Sequence, residues 1–185
     1  MSEITKRALA ASLKNLLSKK TLDKITVTDI AEDCRINRHT FYYHFQDLYD
    51  LMEWMLLDEA KRVLGGHITY AAWKDNIASI FAYMKQNKAL VMNAYHSIGH
   101  DYWEDHLEKL ARPFICGIVA EQAQGMNIPD KHKNFIIDIY VHVIVDIFLK
   151  WIAKDMHESY DDTLALHFKL LDGSLKYNLQ KFIAE

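Results

Sequence analysis

Apolar residues recur at intervals of three and four along most of the chain, which is the spacing of one face of an α-helix. The pattern is clear in residues 3–19, where Leu9, Leu13, Leu16 and Leu17 fall on one stripe. Comparable segments follow at residues 26–34, 37–45, 47–64, 70–86, 88–98, 102–124, 131–156 and 160–182. Since short alternating runs typical of strands do not interrupt this pattern, the sequence predicts an all-α fold.

Polar and small residues mark where these helices begin and end. Asn37 and Asp47 stand where N-caps are expected, and the pair Gly65-Gly66 marks the end of the fourth helix. Pro113 lies inside the seventh segment, where we expect it to kink the helix or split it in two.

The second and third segments are separated by a turn of three or four residues, which is the helix-turn-helix arrangement. We therefore predict an N-terminal three-helix domain over residues 1–47 that carries this motif. A larger helical domain for effector binding and dimerisation would occupy residues 48–185, with helix 48–64 as the connection.

The third segment has two different faces. In a helix that begins at Asn37, Phe41 and Phe45 lie four residues apart and fit a core. The side chains directed away from this pair are Arg38, His39, Tyr42 and Tyr43. Such side chains at an exposed helix N-terminus suit the base edges and phosphates of a DNA major groove. A surface helix whose tyrosines pack on a neighbour is the alternative.

Charge is distributed unevenly along the 185 residues. The net charge is −3, but residues 1–46 carry +3 and the remainder carries −6. A basic N-terminal part is compatible with a nucleic-acid partner, although the total charge is not.

Compartment is indicated by the cysteines and by the absence of a signal pattern. Cys34 and Cys116 lie far apart in apolar surroundings, and the N-terminus lacks a charged segment followed by an apolar core. We therefore expect reduced thiols and a cytoplasmic protein. Since no apolar run approaches the roughly 20 residues that span a bilayer, no membrane association is expected.

Two stretches resemble the N-terminal DNA-binding domain of the TetR family of bacterial transcription regulators. They are ITVTDIA at residues 25–31 and NRHTFYYHF at residues 37–45, followed by Leu51, and the resemblance covers roughly residues 5–55. It implies an all-α homodimer that binds a double-stranded, palindromic DNA operator.

The resemblance also implies roles for individual residues. Those that would contact phosphate or the groove edge are Thr26 and Thr28, and the cap of the recognition helix is Asn37. The base-reading positions are those of Arg38 and His39. The backbone-gripping positions are those of Thr40, Tyr42 and His44.

Two positions depart from the family pattern. The family usually has glycine where Arg35 stands, at a position that favours positive φ, so we expect modest strain or a different turn. It usually has lysine at the start of the fourth helix, where Leu48 stands here. One phosphate contact is therefore missing, and a shallower salt dependence is expected.

The larger domain is rich in aromatic and methionine residues that could line a ligand pocket, although most such residues are simply core. The candidate lining residues are Trp54, Trp73, Phe81, Met84, Met92, Tyr95, Trp103, Phe114, Tyr140 and Phe148. The effector is an unknown small molecule or protein.

Histidines four apart, His96 and His100, suggest a metal site, but Gly99 between them weakens the helix that would hold both ligands. We also find no nucleophile elbow, HExxH motif or glycine-rich phosphate loop. Neither a metal, a cofactor nor an enzymatic activity is expected.

The last two predicted helices, 131–156 and 160–182, are apolar on nearly every side. A helix of this kind must be buried all round, which a four-helix dimer interface explains and which the resemblance also implies. The alternative is an internal hairpin covered by the rest of the chain.

These observations favour an effector-responsive repressor. One alternative is an activator under a protein co-activator, since residues 88–98 and the stretch WIAKDMHES resemble the family subgroup that includes the activator of dihydroxyacetone kinase operons. The other is a helical interaction protein without a DNA role.

Overall fold

The computed structural model describes residues 2–65, 69–98 and 100–183. Its elements are α1 (Ser2–Leu17), a 3-10 turn (Leu22–Lys24), α2 (Val27–Asp33), α3 (Arg38–His44), α4 (Leu48–Leu64), α5 (Trp73–Gln86), α6 (Lys88–Ser97), α7 (His100–Gln122), α8 (Asp130–Ala153), α9 (Tyr160–Leu171) and α10 (Ser174–Gln180). Within those ranges every regular element is helical, which confirms the all-α prediction.

The chain forms two compact units. The head unit comprises Met1–Arg62 and Gln86–His100, and the body unit comprises Val63–Lys85 and Asp101–Glu185. This division differs from a boundary after residue 47, because α4 and α6 both lie in the head unit. The functional division at residue 47 stays a prediction.

The core of the head unit is formed by apolar side chains of its first three helices. The fully buried members are Leu9, Leu13 and Leu17 of α1, Ile30 of α2 and Phe41 of α3. Burial of one such side chain contributes about 1.5–3 kcal/mol. Together they hold α2 and α3 in a fixed arrangement against α1.

A cluster of charged side chains joins α4 to α1. Lys14 Nζ lies 2.9 Å from the largely buried carboxylate of Glu59, which Arg62 also contacts. Asp58 lies between Arg62 and Arg7, at 3.5 and 3.8 Å. A buried carboxylate is costly unless cations accompany it, so Glu59 restrains the last turns of α4 against α1.

α6 returns to the head unit and packs on α1 and the 3-10 turn. Asn93 Nδ2 donates to the carbonyl of Leu17, the last residue of α1, at 2.8 Å. The amide of Leu22 donates to Ser97 Oγ, also at 2.8 Å. The first bond satisfies a carbonyl that the end of α1 leaves open, and the second satisfies the amide of the first residue of the 3-10 turn.

The core of the body unit centres on aromatic rings from α5 and α8. Phe81 and Phe148 stack with centroids 4.2 Å apart, and Trp151 lies 4.9 Å from Phe81. Stacked and tilted rings at these separations add to the stabilisation that burial alone provides.

Most apolar residues of α8 are buried within the single chain. They are Ile136, Ile137, Val141, Ile144, Val145, Ile147, Phe148, Leu149, Trp151 and Ile152. The rest of the chain therefore buries much of this helix, as the hairpin alternative requires, but Phe135 and Ile139 stay exposed. Dimerisation through the last two predicted helices stays a prediction.

The prediction of a single helix over residues 160–182 was wrong, because the structure has two helices there, α9 and α10. Gly173 has φ 72°, in the left-handed region, and its amide donates to Tyr70 Oη at 3.1 Å. Lys74 Nζ binds the Asp172 carboxylate at 2.8 Å. Glycine adopts this conformation without steric cost, so the break occurs there.

The seventh predicted helix is not split. α7 runs through Pro113 from His100 to Gln122. The end of α4 was predicted correctly: the helix stops at Leu64 and Gly65 has φ 59°. Gly66 lies outside the described residues.

None of the helices in the described part of the chain has the length and apolar character needed to span a bilayer.

Candidate nucleic-acid interface

The start of α2 is fixed by reciprocal hydrogen bonds. The amide of Asp29 donates to Thr26 Oγ1 at 3.1 Å, and the amide of Thr26 donates to the Asp29 carboxylate at 2.9 Å. Lys20 Nζ binds the same carboxylate at 3.1 Å. The backbone hydrogen bond from Thr26, and then the bond from Lys20, lower the pKa of Asp29. This capping box sets the position of exposed Thr26 and half-buried Thr28.

The predicted cap of α3 is also present. The amide of Thr40 donates to Asn37 Oδ1 at 2.8 Å, and the Thr40 hydroxyl donates to the same oxygen at 3.0 Å. Since the hydroxyl proton of Thr40 is donated to Asn37 Oδ1, this hydroxyl can donate to a DNA phosphate only if it rotates away from Asn37.

α3 has the two faces that the sequence predicted. Phe41 is fully buried and Phe45 nearly so, with their ring centroids 6.1 Å apart. The exposed residues of and next to this helix are Asn37, Arg38, His39, Tyr42 and Tyr43, while Thr40 and His44 are half-buried. The eight predicted DNA-contacting residues thus lie on α3, at its cap and at the start of α2.

Tyr43 was not among the predicted contacts, yet it is the more exposed tyrosine of α3. Its exposed fraction is 80%, against 50% for Tyr42. Its ring stands edge-on to His44, with centroids 5.0 Å apart. The sequence placed Tyr43 away from the core pair, and that orientation was the signal for adding it to the candidate surface.

The candidate pocket residues divide between the two units. Those in the head unit are Trp54, Met92 and Tyr95; those in the body unit are Trp73, Phe81, Met84, Trp103, Phe114, Tyr140 and Phe148. Trp54 packs on Phe45 with centroids 6.0 Å apart, and Lys6 Nζ lies 5.9 Å from its ring. The ten residues therefore do not line one cavity within the body unit.

Phe81 and Phe148 line an apolar crevice in the body unit. Its other lining residues are Ile77, Ile144, Ile147, Leu164, His167, Phe168 and Leu171. The crevice admits no water-sized sphere. Its walls are therefore closely packed, as expected for a protein core.

The histidine-rich stretch does not assemble a metal site among the residues whose side chains are described. His106 is buried, with the Tyr102 ring parallel to it at 6.0 Å, whereas His96 is exposed. Gly99 and the side chain of His100 lie outside the described residues.

Comparison with known proteins decides the family. A TetR-family model described as "Transcriptional regulator C-terminal region" matches residues 71–173, which is more than half of the chain. The chain belongs to the TetR family of transcriptional regulators.

Two solved TetR-type structures share the fold. One is titled "Dihydroxyacetone kinase operon activator DhaS", with a TM-score of 0.68 and 19% identity over 98% of this chain and 99% of that one. The other is a TetR transcriptional regulator from Streptococcus agalactiae, with a TM-score of 0.54 and 19% identity over 99% and 96% of the two chains.

A curated relative points to the same subgroup. The HTH-type dhaKLM operon transcriptional activator DhaS of Lactococcus lactis subsp. lactis is 24% identical over an alignment of 141 residues, which covers 73% of this chain and 72% of that protein. These similar proteins are transcriptional regulators and not enzymes.

The TetR-type turn between α2 and α3 keeps its geometry without glycine. Arg35 has φ 53°, its amide donates to the Glu32 carbonyl at 3.0 Å, and the Ile36 amide donates to the Ala31 carbonyl at 2.9 Å. This pair of bonds is the Schellman motif. The left-handed conformation costs a non-glycine residue about 1–2 kcal/mol, so the expected strain at Arg35 is present.

The start of α4 confirms the prediction that Asp47 is an N-cap. The amides of Tyr49 and Asp50 donate to Asp47 Oδ1 at 2.8 and 2.9 Å, so Asp47 is the N-cap. Leu48 is the first helical residue and is half-buried. It offers no charge to a phosphate at this position.

Proposed function

We propose that this TetR-family protein binds a double-stranded DNA operator as a homodimer, with α3 of each protomer in a major groove. The observation that carries the proposal is the division of α3 into a buried aromatic anchor and an exposed polar face. A helix held by Phe41 and Phe45 presents Arg38 and His39 at its N-terminus. Recognition helices read base edges from this end.

The contacts divide into two kinds. Arg38 and His39 would read base edges, because a guanidinium can bond both acceptors of guanine and an imidazole can donate or accept. Residues that would bind the DNA backbone are Thr26, Thr28, Thr40, Tyr42, Tyr43 and His44. Asn37 would hold the helix start through its cap. Backbone contacts fix orientation without carrying sequence information.

Dimerisation is supported by apolar residues that the single chain leaves exposed on α8 and α9. Leu166 and Leu170 of α9 are 73% and 76% exposed, and Phe135 of α8 is 54% exposed. Leu166 and Leu170 lie one turn apart on one helix face. To bind a palindromic operator, the two copies of α3 in such a dimer must lie about one DNA turn, ~34–36 Å, or a multiple apart.

Regulation follows if an effector binds the body unit. An effector that favours a spacing of the two heads different from the spacing that the operator requires weakens operator binding. The operator then weakens effector binding by the same factor. On an operator that overlaps a promoter, this would give an effector-responsive repressor in the cytoplasm.

A protein-controlled activator is the second candidate. The relative from Lactococcus lactis is named as an activator, and so is the protein whose solved structure has a TM-score of 0.68 to this chain. The crevice lined by Phe81 and Phe148 admits no water-sized sphere. This close packing supports a protein partner over a small molecule bound in that crevice.

Operator selection from a random duplex library tests the DNA role. The purified protein should enrich a palindrome whose half-sites are about one helical turn, or a multiple, apart. Enrichment of no palindrome would remove both regulator proposals and leave a helical interaction protein. The Phe41→Ala variant serves as the negative control, because it should lose the anchored helix.

Transcription in vitro from a promoter that carries the selected operator separates the two candidates. A repressor lowers transcript yield when added alone, and an effector restores the yield. An activator raises the yield with its partner present. Selected operators also identify the neighbouring genes, which indicate the effector.

A further inference from the structure

Five cations of the head unit are already engaged by partners within the unit. Lys20 binds Asp29 at 3.1 Å, Lys14 binds Glu59 at 2.9 Å, and Arg7 lies 3.8 Å from Asp58. Arg62 contacts both Asp58 and Glu59, and Lys6 lies over the rings of Phe45 and Trp54. A phosphate would have to compete with these partners for the same charges.

Lys24 differs from these cations. Its side chain is exposed, and no carboxylate of the described residues lies within ion-pair distance of it. A lysine without a carboxylate partner keeps its charge available for a phosphate.

The backbone of Lys24 is held firmly. Its amide donates to the Thr21 carbonyl at 3.0 Å, and the Ile25 amide donates to the Leu22 carbonyl at 3.0 Å. Leu22 and Ile25, on either side of the turn, are buried. The 3-10 turn therefore fixes the root of an exposed, flexible side chain.

Lys24 also lies next to the start of α2. Thr26, two residues later, caps that helix, and α2 and α3 form the helix-turn-helix. The start of α4, where the family usually has a lysine, offers the uncharged Leu48.

We propose that Lys24 contacts a backbone phosphate of the operator and supplies the charge that Leu48 does not. The inference rests on the proposed DNA-binding function and deepens it. Lys24 carries no base recognition, so it adds affinity equally for all sequences. Its contribution falls as salt rises, because each phosphate contact releases condensed counterions.

The salt dependence of operator binding tests this contact. Equilibrium binding of the selected operator is measured by fluorescence anisotropy from low to moderate salt, for wild type, Lys24→Ala and Lys24→Arg. In a dimer, Lys24→Ala removes two contacts, so the slope of log affinity against log salt should become shallower by about 1.8. Lys24→Arg should keep the wild-type slope.

Lys61→Ala is the matched control. Lys61 is an exposed lysine of the same unit, in the last turn of α4. At 1.5 Å per residue it lies roughly 20 Å along the helix from Leu48. The slope of log affinity against log salt for Lys61→Ala should equal that of wild type. Thermal unfolding of each variant checks that the head unit remains folded.

Three outcomes overturn the proposal. If wild type selects no operator, both the DNA role and this contact fail. If wild type binds its operator but Lys24→Ala keeps the slope, only the Lys24 contact fails. If Lys24→Ala and Lys61→Ala lower the slope equally, the effect is general charge and not a contact.

Discussion

The recognition helix α3 and the body helix α8 use their residues in opposite ways. α3 has seven residues and buries Phe41 alone within its span, whereas α8 has 24 residues and buries ten. In α3, a cap and an aromatic anchor fix the helix and leave the other positions free for a partner. In α8, ten buried positions are constrained by neighbours of the same chain. Exposure, and not residue type, distinguishes a binding helix from a structural one.

Substitution of Phe41, the buried anchor of α3, should have the largest effect on the stability of the head unit. Phe41→Ala should destabilise the head unit by about 3–5 kcal/mol, because it removes a fully buried ring. Operator binding should disappear while the body unit stays folded. Urea unfolding followed by Trp fluorescence and circular dichroism measures this. Tyr43→Ala, which removes an exposed ring, is the control and should leave unfolding unchanged; equal destabilisation would contradict the division of faces.

The body helices can be tested at the residues that the chain leaves uncovered. Leu166→Asp should weaken the proposed dimer by about 1.5–3 kcal/mol per protomer, since a buried apolar contact is lost at the interface. Sedimentation velocity across a concentration series would show the shift towards monomer. Ala165→Asp on the same helix is the matched control, because Ala165 is exposed and residues next to each other in sequence do not share a helix face. A dimer of unchanged strength in Leu166→Asp would place the interface elsewhere.

The exposed face of α3 contains two kinds of contact that can be separated. Arg38→Ala should change the preferred base at its position and cost about 1–3 kcal/mol, whereas Tyr42→Phe should weaken all sequences about equally. Binding to the selected operator and to single-base variants of it measures both effects. If Arg38→Ala changes neither affinity nor preference, Arg38 does not read a base.

The capping box of α2 should give the smallest effect. Thr26→Ala should destabilise the head unit by about 1 kcal/mol, which is typical for loss of an N-cap. Thr21→Ala is the matched control, since Thr21 precedes the 3-10 turn without a side-chain capping bond. Unfolding without DNA separates this effect from any phosphate contact.

The stability of the head unit at acidic pH should also depend on the capping box of α2, through Asp29. The pKa of Asp29 is lowered in the folded state from its ordinary value of 3.8. The stabilisation by Asp29 is therefore present above that value and is lost as the pH falls through the lowered pKa. Wild type should lose more head stability than Asp29→Asn over this acidic range. Parallel stability profiles for the two proteins would contradict the role of Asp29.

Several features were predictable from local sequence because local forces determine them. Asn37 and Asp47 cap helices through bonds to residues two or three positions away, and Phe41 and Phe45 share a face through helical spacing. The positive φ of Arg35 followed from its place in a recognised turn. The helical class and the polar face of α3 could therefore be predicted without coordinates.

Other features depend on contacts between distant parts of the chain. That α6 joins the head unit rests on bonds from Asn93 and Ser97 to residues more than 70 positions earlier. The break at Gly173 is supported by Tyr70, 103 residues away in sequence. Apolar residues on all sides of α8 showed that it must be buried, but not what buries it.

The sequence by itself determined the helical class, the caps at Asn37 and Asp47 and the candidate DNA-facing residues, since these depend on spacing and on neighbours within one or two turns. Only the tertiary structure decided which cations are already engaged, which apolar faces stay open, and how the pocket candidates divide between units. Those properties depend on pairs such as Lys14 and Glu59, 45 positions apart, whose distance no local pattern encodes.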